Sequence, residues 1–503
     1  MNITLISPYP DVQAFGIRTL SACLKEEGHD VQLVFLPSAH IDKYEDEVMD
    51  EVVELAKDSQ LVGITLMTNF FDNSVQITRK LKAHYDFPIV WGGIHPTIRP
   101  EECINYADIV CIGEGEDSLV ELADMIDKGQ DYHHIKGLWF NDNENIVKNQ
   151  NRSLTKSLDD IPYPDYDYKT HFILTNGHVQ KMDAGLLKQA LGSTYVTIPT
   201  RGCPYVCTYC CNNAVTQIFP ENTSLRAKTI DYLINELLEV TEKLPFIERI
   251  KFDDDAFFVY SVKNMQEFSE QYRNKIGLPL RVTGATPVTL TREKLTILVD
   301  GGLDSIRMGI ESANTTTKKL YKRRYTNKQV EKSVRLLHEF RNKTEMPKFD
   351  FILDNPWETD DDLVESLNFL SSLPTPFTLN FFSLLFYPGT ELYDIAKADG
   401  MIKDDWNDVY RQHYKRCTLT YLNRVFFLLN EYASNNIAIK PIFMFCLTNQ
   451  MMRKLKLNWL VYGILLIAPF KSNRLRGIRK LRSSLKHKFA RKADSLQPAF
   501  LAN

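Results

Sequence analysis

The sequence predicts an α/β protein with two consecutive α/β units and a helical C-terminal region. Through residues 1–130, short apolar strands alternate with amphipathic helices across Gly-containing loops, the pattern of a doubly wound parallel sheet. Between residues 193 and 400 six further βα units follow one another, which predicts a partial (β/α)6 barrel. The chain has 503 residues, enough for two or three domains, so we assign 131–192 to a linker and 401–503 to the helical region.

Five strands are expected in the first unit, at NITLISPYP, VQLVFLP, LVGITLMT, PIVWGG and DIVCIG. Its helices are expected at IRTLSACLKEEGHD, YEDEVMDEVVELAKDS, SVQITRKLKAHY, PEECINYA and DSLVELADMIDKG. Ligands of such sheets bind at the carboxyl ends of the strands. Three loops rich in glycine and small polar residues lie there, Thr65–Asn69, Gly92–Thr97 and Gly113–Glu116. None is a GxGxxG or Walker sequence, so a nucleotide phosphate is not the expected ligand.

The prolines and tyrosines of SLDDIPYPDYDY predict an extended linker rather than a helix before the second unit. The barrel strands are expected at YVTIPT, IERIKFDD, LRVTGAT, SIRMGIES, KFDFIL and TLNFFSLLF. Helices are expected between them, for example at TIDYLINELLEVTEKL, TREKLTILVDGG, NKQVEKSVRLLHEFRN and TDDDLVESLNFLSSL. The active site of such a barrel lies at the C-terminal ends of its strands.

Composition and the N-terminus limit the functional classes. A net charge of −4 is small for this length and excludes a polyanion-binding role for the chain as a whole. The N-terminus has no basic segment followed by a long apolar one, so we predict no signal peptide and expect the protein in the reducing cytoplasm. Four of the nine cysteines lie within the stretch RGCPYVCTYCCNN. Clustering in a reducing compartment favours metal binding over disulfides.

The clustered cysteines Cys203, Cys207 and Cys210 follow the first barrel strand in a CxxxCxxC spacing. A structural zinc site would need four ligands, usually as two separated pairs, and no second CxxC or HxxxH exists. A redox CxxC would leave Cys203 without a role. Three cysteines can hold three irons of a [4Fe-4S] cluster and leave the fourth open to a substrate. We therefore predict the cluster, with zinc or redox chemistry as alternatives and Cys211 pointing away as a structural residue.

This spacing resembles the signature of the radical S-adenosylmethionine (SAM) superfamily, in which an aromatic residue such as Tyr209 precedes the last cysteine. IKFDDDAFF, SIRMGIESAN and FDFILDNPWET resemble the second, fourth and fifth strands of that family. FFSLLFYPGTELYDIA resembles the element that closes the barrel in one large subgroup. The resemblance covers about residues 1–400 and implies that the three cysteines ligate the cluster.

The resemblance also implies roles for strand-end residues. Asp253, Asp254 and Asp255 lie where relatives contact the amino group of SAM, and a carboxylate suits an ammonium group. Glu311 and Asp350 align with residues that hold ribose hydroxyls, and solvated strand-end acids are the alternative. Arg307 would pair with one of these carboxylates or with the substrate.

The same subgroup carries an N-terminal cobalamin-binding domain, which the first unit resembles. The resemblance implies cobalamin contacts from VGITLMT, IVWGGIHPT and DIVCIGEGEDSLVEL, and thus from Thr65, Met67, Thr68, Gly92, Gly93, Gly113 and Glu114. The DxHxxG sequence that supplies a histidine to cobalt in many cobalamin enzymes is replaced by PYPDVQAFGIRT, so histidine ligation is not expected. The alternative is a Rossmann-like domain that has lost the corrinoid.

In this family a reduced [4Fe-4S] cluster cleaves SAM to a 5′-deoxyadenosyl radical, which abstracts hydrogen from an unactivated carbon. The resemblance therefore implies SAM and cobalamin as cofactors and an external electron donor such as flavodoxin or ferredoxin. With cobalamin as methyl carrier, methylation of an unactivated carbon is the predicted reaction. A radical cyclase or rearrangement enzyme on a tetrapyrrole-like or other large apolar substrate is the alternative. A non-catalytic corrinoid or iron–sulfur carrier is a second alternative.

The C-terminal region ends in an apolar segment and a basic one. Residues 457–470 are apolar but fewer than the roughly 20 residues of a spanning helix, and residues 471–492 hold ten Lys or Arg and no acid. Together they predict a peripheral contact with the inner membrane face and a small, lipid-like substrate. A core helix followed by a solvated basic tail is the alternative. No aromatic stacking array accompanies the basic run, so nucleic acid is not an expected partner.

Overall fold

The computed structural model describes residues 1–38, 43–142, 145–456 and 461, and these form two large β-sheets with helices around them. The N-terminal sheet has nine strands, β1 (Asn2–Ser7), β2 (Asp30–Phe35), β3 (Leu61–Thr65), β4 (Ile89–Gly92), β5 (Ile109–Cys111), β6 (Leu138–Asp142), β7 (Asn145–Lys148), β8 (His171–Thr175) and β9 (His178–Lys181). Their spatial order is β7-β6-β5-β4-β3-β1-β2-β8-β9. The five predicted strands are β1–β5, which pair in parallel. They are buried on both faces, which is why they form continuous apolar runs.

Helices cover both faces of this sheet, as a doubly wound fold requires. They are α1 (Phe15–Glu26), α2 (Asp46–Ala56), α3 (Phe71–Lys82), α4 (Ile94–Ile98), α5 (Pro100–Cys103) and α6 (Glu116–Asp127). Helices α1 and α6 pack together in one apolar cluster, and α2 and α3 pack together in another. The chain order reverses between β1 and β3, the position where such sheets bind ligands.

The segment 131–192, which we expected to be an extended linker, extends the sheet at both edges. The hairpin β6–β7 pairs antiparallel with β5, and the hairpin β8–β9 joins β2. Helix α7 (Ala184–Leu191) then leads to the barrel. The outer strands NIVK and HVQK have only four residues each and are largely exposed, so no buried apolar run marks them in the sequence.

The second sheet is an open parallel barrel of six strands, as predicted. The strands of this unit are β10 (Thr194–Thr197), β11 (Thr200–Arg201), β12 (Arg226–Ala227), β13 (Arg249–Phe252), β14 (Leu280–Ala285), β15 (Leu303–Glu311), β16 (Lys348–Leu353) and β17 (Thr378–Ser383). The spatial order β10-β13-β14-β15-β16-β17 follows the chain, and β10 and β17 remain edges. Strands β11 and β12 form a separate antiparallel ribbon.

Helices surround the barrel and continue beyond it. Those between the strands are α8 (Cys211–Ile218), α9 (Ile230–Lys243), α10 (Val262–Lys275), α11 (Arg292–Gly301), α12 (Thr315–Leu320), α13 (Asn327–Glu339), α14 (Asp360–Ser372) and α15 (Glu391–Ala398). The C-terminal helices are α16 (Tyr421–Ser434), α17 (Pro441–Thr448) and α18 (Gln450–Leu455). Helix α16 packs on α14 and β17, and α17 packs on α14.

The C-terminal predictions are only partly covered by the structure. No helix within the described ranges is long and apolar enough to cross a membrane. The predicted apolar segment 457–470 and basic segment 471–492 lie outside the described residues, except for Val461, which is buried in the core.

Candidate active site

The cysteine loop joins the ribbon strand β11 to helix α8 and is fastened at both its start and its middle. Gly202 has a φ of 91°, and a Cβ there would lie 2.6 Å from the backbone oxygen of Ser224, so the position requires glycine. The Thr208 hydroxyl donates to the backbone oxygen of Leu320 at 2.7 Å. The Leu392 amide donates to the backbone oxygen of Thr208 at 3.0 Å. The loop is therefore held between the ribbon, α12 and α15.

Cys203, Cys207 and Cys210 line one cavity of about 360 Å³ at the C-terminal ends of the barrel strands, here called the cysteine cavity. Cys203 and Cys207 are buried and Cys210 is half-buried. Burial raises the pKa of the Cys203 thiol to about 12 and also raises the pKa of Cys207. Three sulfur ligands on one fastened loop beside an open space are a donor set that fits an iron–sulfur cluster.

Cys211 lies closer to these ligands than we expected. We predicted that it points away, but the two neighbouring thiols interact, which raises the pKa of Cys210 and lowers the pKa of Cys211. It is exposed and does not line the cysteine cavity. In the described part of the chain, no three His, Cys, Asp or Glu side chains converge to hold a single metal ion.

The acids Asp253, Asp254 and Asp255 all line the cysteine cavity. The Asp254 carboxylate, however, is already hydrogen-bonded to other residues of the protein. This buried carboxylate accepts from the Thr200 amide at 2.8 Å, from the Thr200 hydroxyl at 2.9 Å and from the Ala256 amide at 2.7 Å. Burial raises the pKa of this carboxyl to about 6. Asp254 thus holds ribbon strand β11 against the end of β13.

Asp253 and Asp255 are both exposed. Asp253 has two polar side-chain partners, and Asp255 has one. Asp253 pairs with Nζ of Lys251 at 3.0 Å and accepts from the Thr283 hydroxyl at 3.2 Å. Asp255 accepts from Nδ2 of Asn212 at 2.7 Å, which connects the end of β13 to α8. Of the three predicted acids, these two retain oxygen atoms that an ammonium group could reach.

Glu311 is connected to the cysteine loop through a basic residue. Its Oε1 accepts from Nη2 of Arg323 at 2.8 Å, and Nε of Arg323 donates to the Tyr209 hydroxyl at 2.9 Å. Burial raises the pKa of Glu311 to about 7. A Cβ at Gly309 would lie 2.4 Å from Glu311 Oε1, so glycine leaves room for this carboxylate. No motif marks Arg323, which lies in the basic run KKLYKRRY.

Asp350 lines the same cavity and forms the pair that we expected with Arg307. Nε of Arg307 donates to the two carboxylate oxygens at 2.7 and 2.6 Å, and Nδ2 of Asn380 donates to Oδ1 at 3.0 Å. Glu311 and Asp350 thus each have a guanidinium partner. Their contact with ribose hydroxyls stays a prediction.

A second cavity of about 380 Å³ lies between the N-terminal sheet and the barrel, here called the interdomain cavity. It is lined by apolar side chains from both domains and by five of the predicted cofactor-binding residues, Thr65, Gly92, Gly93, Gly113 and Glu114. Gly63 lines the floor of this cavity and pairs with Leu5 of β1 on one side and Val90 of β4 on the other. A Cβ at Gly63 would lie only 2.6 Å from Leu5 Cδ2. A largely apolar space with bare glycine backbone on one side fits an extended organic cofactor.

Met67 and Thr68 do not line this cavity, contrary to the prediction. The chain forms a short 3-10 turn after β3, and the Thr68 hydroxyl is buried 3.0 Å from Nδ1 of His95. Met67 is 39% exposed. None of the residues described around the interdomain cavity is a histidine.

Glu114 lines the interdomain cavity but is part of an ion-pair network between the domains. It accepts from Nη1 and Nη2 of Arg226 at 2.9 and 2.8 Å and lies 3.2 Å from Nη1 of Arg201. Nη2 of Arg201 donates to Glu116 at 2.6 Å. Burial opposes the charge on Glu114, but the guanidinium groups hold its pKa below the ordinary value. Arg226 belongs to no motif of the sequence, and Arg201 precedes the CxxxCxxC motif without being part of it.

Replacing Arg226 with Met should destabilise the protein by about 3 kcal/mol, because it leaves the largely buried Glu114 carboxylate with fewer partners. Urea unfolding followed by circular dichroism measures the free energy of the first transition. The matched control is Arg292→Met, whose ion pair with Glu339 is exposed and should cost less than about 1 kcal/mol. Equal effects of the two substitutions would contradict a structural role for the network.

Two family models match the chain. The B12 binding domain matches residues 1–123, and the radical SAM superfamily matches residues 197–370. An uncharacterized methyltransferase of Pyrococcus horikoshii is 26% identical over 396 residues, which cover 77% of this chain and 79% of the relative. The bacteriochlorophyllide d C-8(2)-methyltransferase of Chlorobaculum tepidum is 21% identical over 75% of this chain and 77% of its own.

A third relative and a solved structure extend the comparison. The anaerobic magnesium-protoporphyrin IX monomethyl ester cyclase of Synechocystis is 23% identical over 40% of this chain and 38% of its own. The radical SAM methyltransferase TsrM of Kitasatospora setae, solved with cobalamin and a [4Fe-4S] cluster, has a TM-score of 0.62 at 20% identity. That match covers 79% of this chain and 75% of TsrM, and it shows a common fold.

Proposed function

Because the chain belongs to the radical SAM superfamily and carries an N-terminal B12-binding domain, we propose that it methylates an unactivated carbon of a small molecule. Its cofactors are cobalamin, SAM and a [4Fe-4S] cluster. The cluster supplies the electron that cleaves SAM, and cobalamin supplies a methyl carrier.

One observation supports this function above all others: residues only two positions apart in the chain line the two cavities. Arg201 lines the interdomain cavity, and Cys203, two residues later, lines the cysteine cavity. A methyl carrier in the first space and a radical source in the second would therefore both be adjacent to one substrate. Methylation needs that proximity, because the methyl group and the activated carbon must meet.

The residues of the chain would bind and orient these groups. In our proposal Cys203, Cys207 and Cys210 hold the cluster, and Asp253 and Asp255 bind an ammonium group. Glu311 and Asp350 accept hydrogen bonds from ribose hydroxyls, and Tyr209 and Arg323 keep Glu311 in place. Thr65, Gly92, Gly93 and Gly113 line the corrinoid space, while Glu114 and Asp254 position the ribbon.

The test is the fate of labelled SAM, incubated anaerobically with the reduced holoenzyme and extracts of the source cell. Methylation should give S-adenosylhomocysteine together with 5′-deoxyadenosine, with label in a product. A cyclase or rearrangement enzyme, the alternative that the Synechocystis relative favours, should give 5′-deoxyadenosine alone. A carrier should give neither product, and that outcome would contradict both enzymatic functions.

The remaining partners are proposals that rest on the sequence. We propose a lipid-like substrate, a one-electron donor such as flavodoxin or ferredoxin, and a cytoplasmic location with a peripheral contact at the inner membrane face. A donor of this kind should support SAM cleavage in place of a chemical reductant. Product formation that depends only on the chemical reductant would argue against such a donor.

A further inference from the structure

The four most exposed large hydrophobic side chains of the described residues lie within fourteen residues of each other. Ile442 is 67% exposed, Phe445 63%, Met451 64% and Leu455 56%. They occupy the two consecutive helices α17 and α18, which pack against each other. Such a concentration of exposed apolar side chains marks an interaction surface, whereas single exposed hydrophobics are ordinary.

Helix α17 is apolar on the side that faces away from the protein as well as on the side that faces the core. Met444 and Leu447 are buried, while Ile442, Phe445 and Cys446 are exposed. A surface helix normally carries charged or polar residues on its outer side. The outer side of α17 therefore suits an apolar environment better than water.

The charge of this part of the chain indicates which apolar environment the outer side of α17 contacts. Residues 432–493 contain fourteen of the 60 lysines and arginines and none of the 64 acids, so the rest of the chain has a clear excess of acid. Lys440, Lys454 and Lys456 are exposed and lie within two residues of Ile442 or Leu455 along the chain. Arg453 of α18 pairs with the exposed Asp361 of α14 at 2.8 Å, so the unpaired positive charge of this face comes from the lysines. Exposed apolar side chains with lysines near them match the interface of an anionic bilayer, where acyl chains lie beneath negative headgroups.

We propose that the outer face of α17 and α18 docks the protein on an anionic lipid bilayer. Ile442, Phe445, Met451 and Leu455 enter the headgroup boundary, and the three lysines contact the anionic headgroups. This surface is separate from both cavities, since α17 packs on α14 and no residue of α17 or α18 lines either cavity.

The test is co-sedimentation of the full-length holoenzyme with vesicles of phosphatidylcholine that contain or lack phosphatidylglycerol. The Ile442→Gln, Phe445→Gln double variant should bind anionic vesicles at least tenfold more weakly than the unaltered protein. The matched control, Ile146→Gln with Val259→Gln, replaces two exposed apolar residues elsewhere and should bind normally. Iron content and thermal unfolding should be unchanged in both variants.

A second variant keeps the test decisive if the first fails to fold. Lys440→Gln with Lys454→Gln keeps the apolar face and should weaken binding to anionic vesicles only. The proposal is overturned if the unaltered protein does not sediment with anionic vesicles or if both patch variants bind like it. It is also overturned if the unaltered protein does not bind vesicles and instead forms a dimer that the Phe445→Gln substitution dissociates.

Discussion

Replacing any one of Cys203, Cys207 and Cys210 with Ala is expected to abolish the iron–sulfur cluster. Anaerobic reconstitution of the unaltered protein should give about four irons and four sulfides per chain. Each alanine variant removes one of three thiols on the fastened loop, and no other cysteine lines the cysteine cavity. Iron and sulfide analysis together with the visible absorbance of the cluster measures the result.

Cys211→Ala is the informative comparison, because Cys211 adjoins Cys210 without lining the cavity. It should retain most of the iron, and so should Cys446→Ala, which replaces an exposed cysteine on α17. Loss of the cluster in Cys211→Ala would mean that Cys211 is a ligand. Stoichiometric zinc in the unaltered protein, without iron-dependent absorbance, would contradict the cluster itself.

The second large effect is expected at Gly92, on the floor of the interdomain cavity. A phenylalanine there should weaken the binding of hydroxocobalamin at least a hundredfold, about 2.7 kcal/mol, because its ring would occupy space that the corrinoid needs. Equilibrium dialysis or absorbance titration of the purified protein measures the affinity.

The control at the same position is Gly92→Ala. A Cβ at Gly92 meets only Cys111 Cβ, at an ordinary 3.7 Å, so alanine should fold normally and change the affinity little. Gly93 is a poorer site for this test. It has a φ of 108°, and a Cβ there would lie 2.9 Å from the backbone oxygen of Leu66, so substitution strains the loop itself. Failure of the unaltered protein to bind hydroxocobalamin at micromolar concentration would indicate a domain that has lost the corrinoid.

Much of the fold could be predicted because buried parallel strands and amphipathic helices leave local patterns. β1–β5 and the six barrel strands have three to nine residues each, and each predicted strand is present. The hairpins β6–β7 and β8–β9 were missed since they lie at the sheet edges, where half-exposed strands need no apolar run. The position of each hairpin in the sheet is set by its pairing with the edge of β5 or of β2.

The cysteine loop could also be predicted, because all three thiols come from one stretch and their spacing by itself carries the chemistry. The roles of the strand-end acids could not be predicted in this way. Asp254 and Glu114 have the same charge as Asp255 and follow strands in the same way. Asp254 pairs with Thr200, 54 positions away, and Glu114 with Arg226, 112 positions away.

Local patterns along the chain are enough to predict the α/β class, the two units, the position of the cysteine loop and the glycines around the interdomain cavity. These features depend on residues that are neighbours along the chain, so their signals are local. Packing in three dimensions sets which carboxylates remain available to a ligand, turns Met67 and Thr68 away from the interdomain cavity, and brings Arg201 and Cys203 to the walls of two different cavities. Those outcomes depend on partners brought together by packing, because a buried charge or polar group must find a partner wherever the fold supplies one.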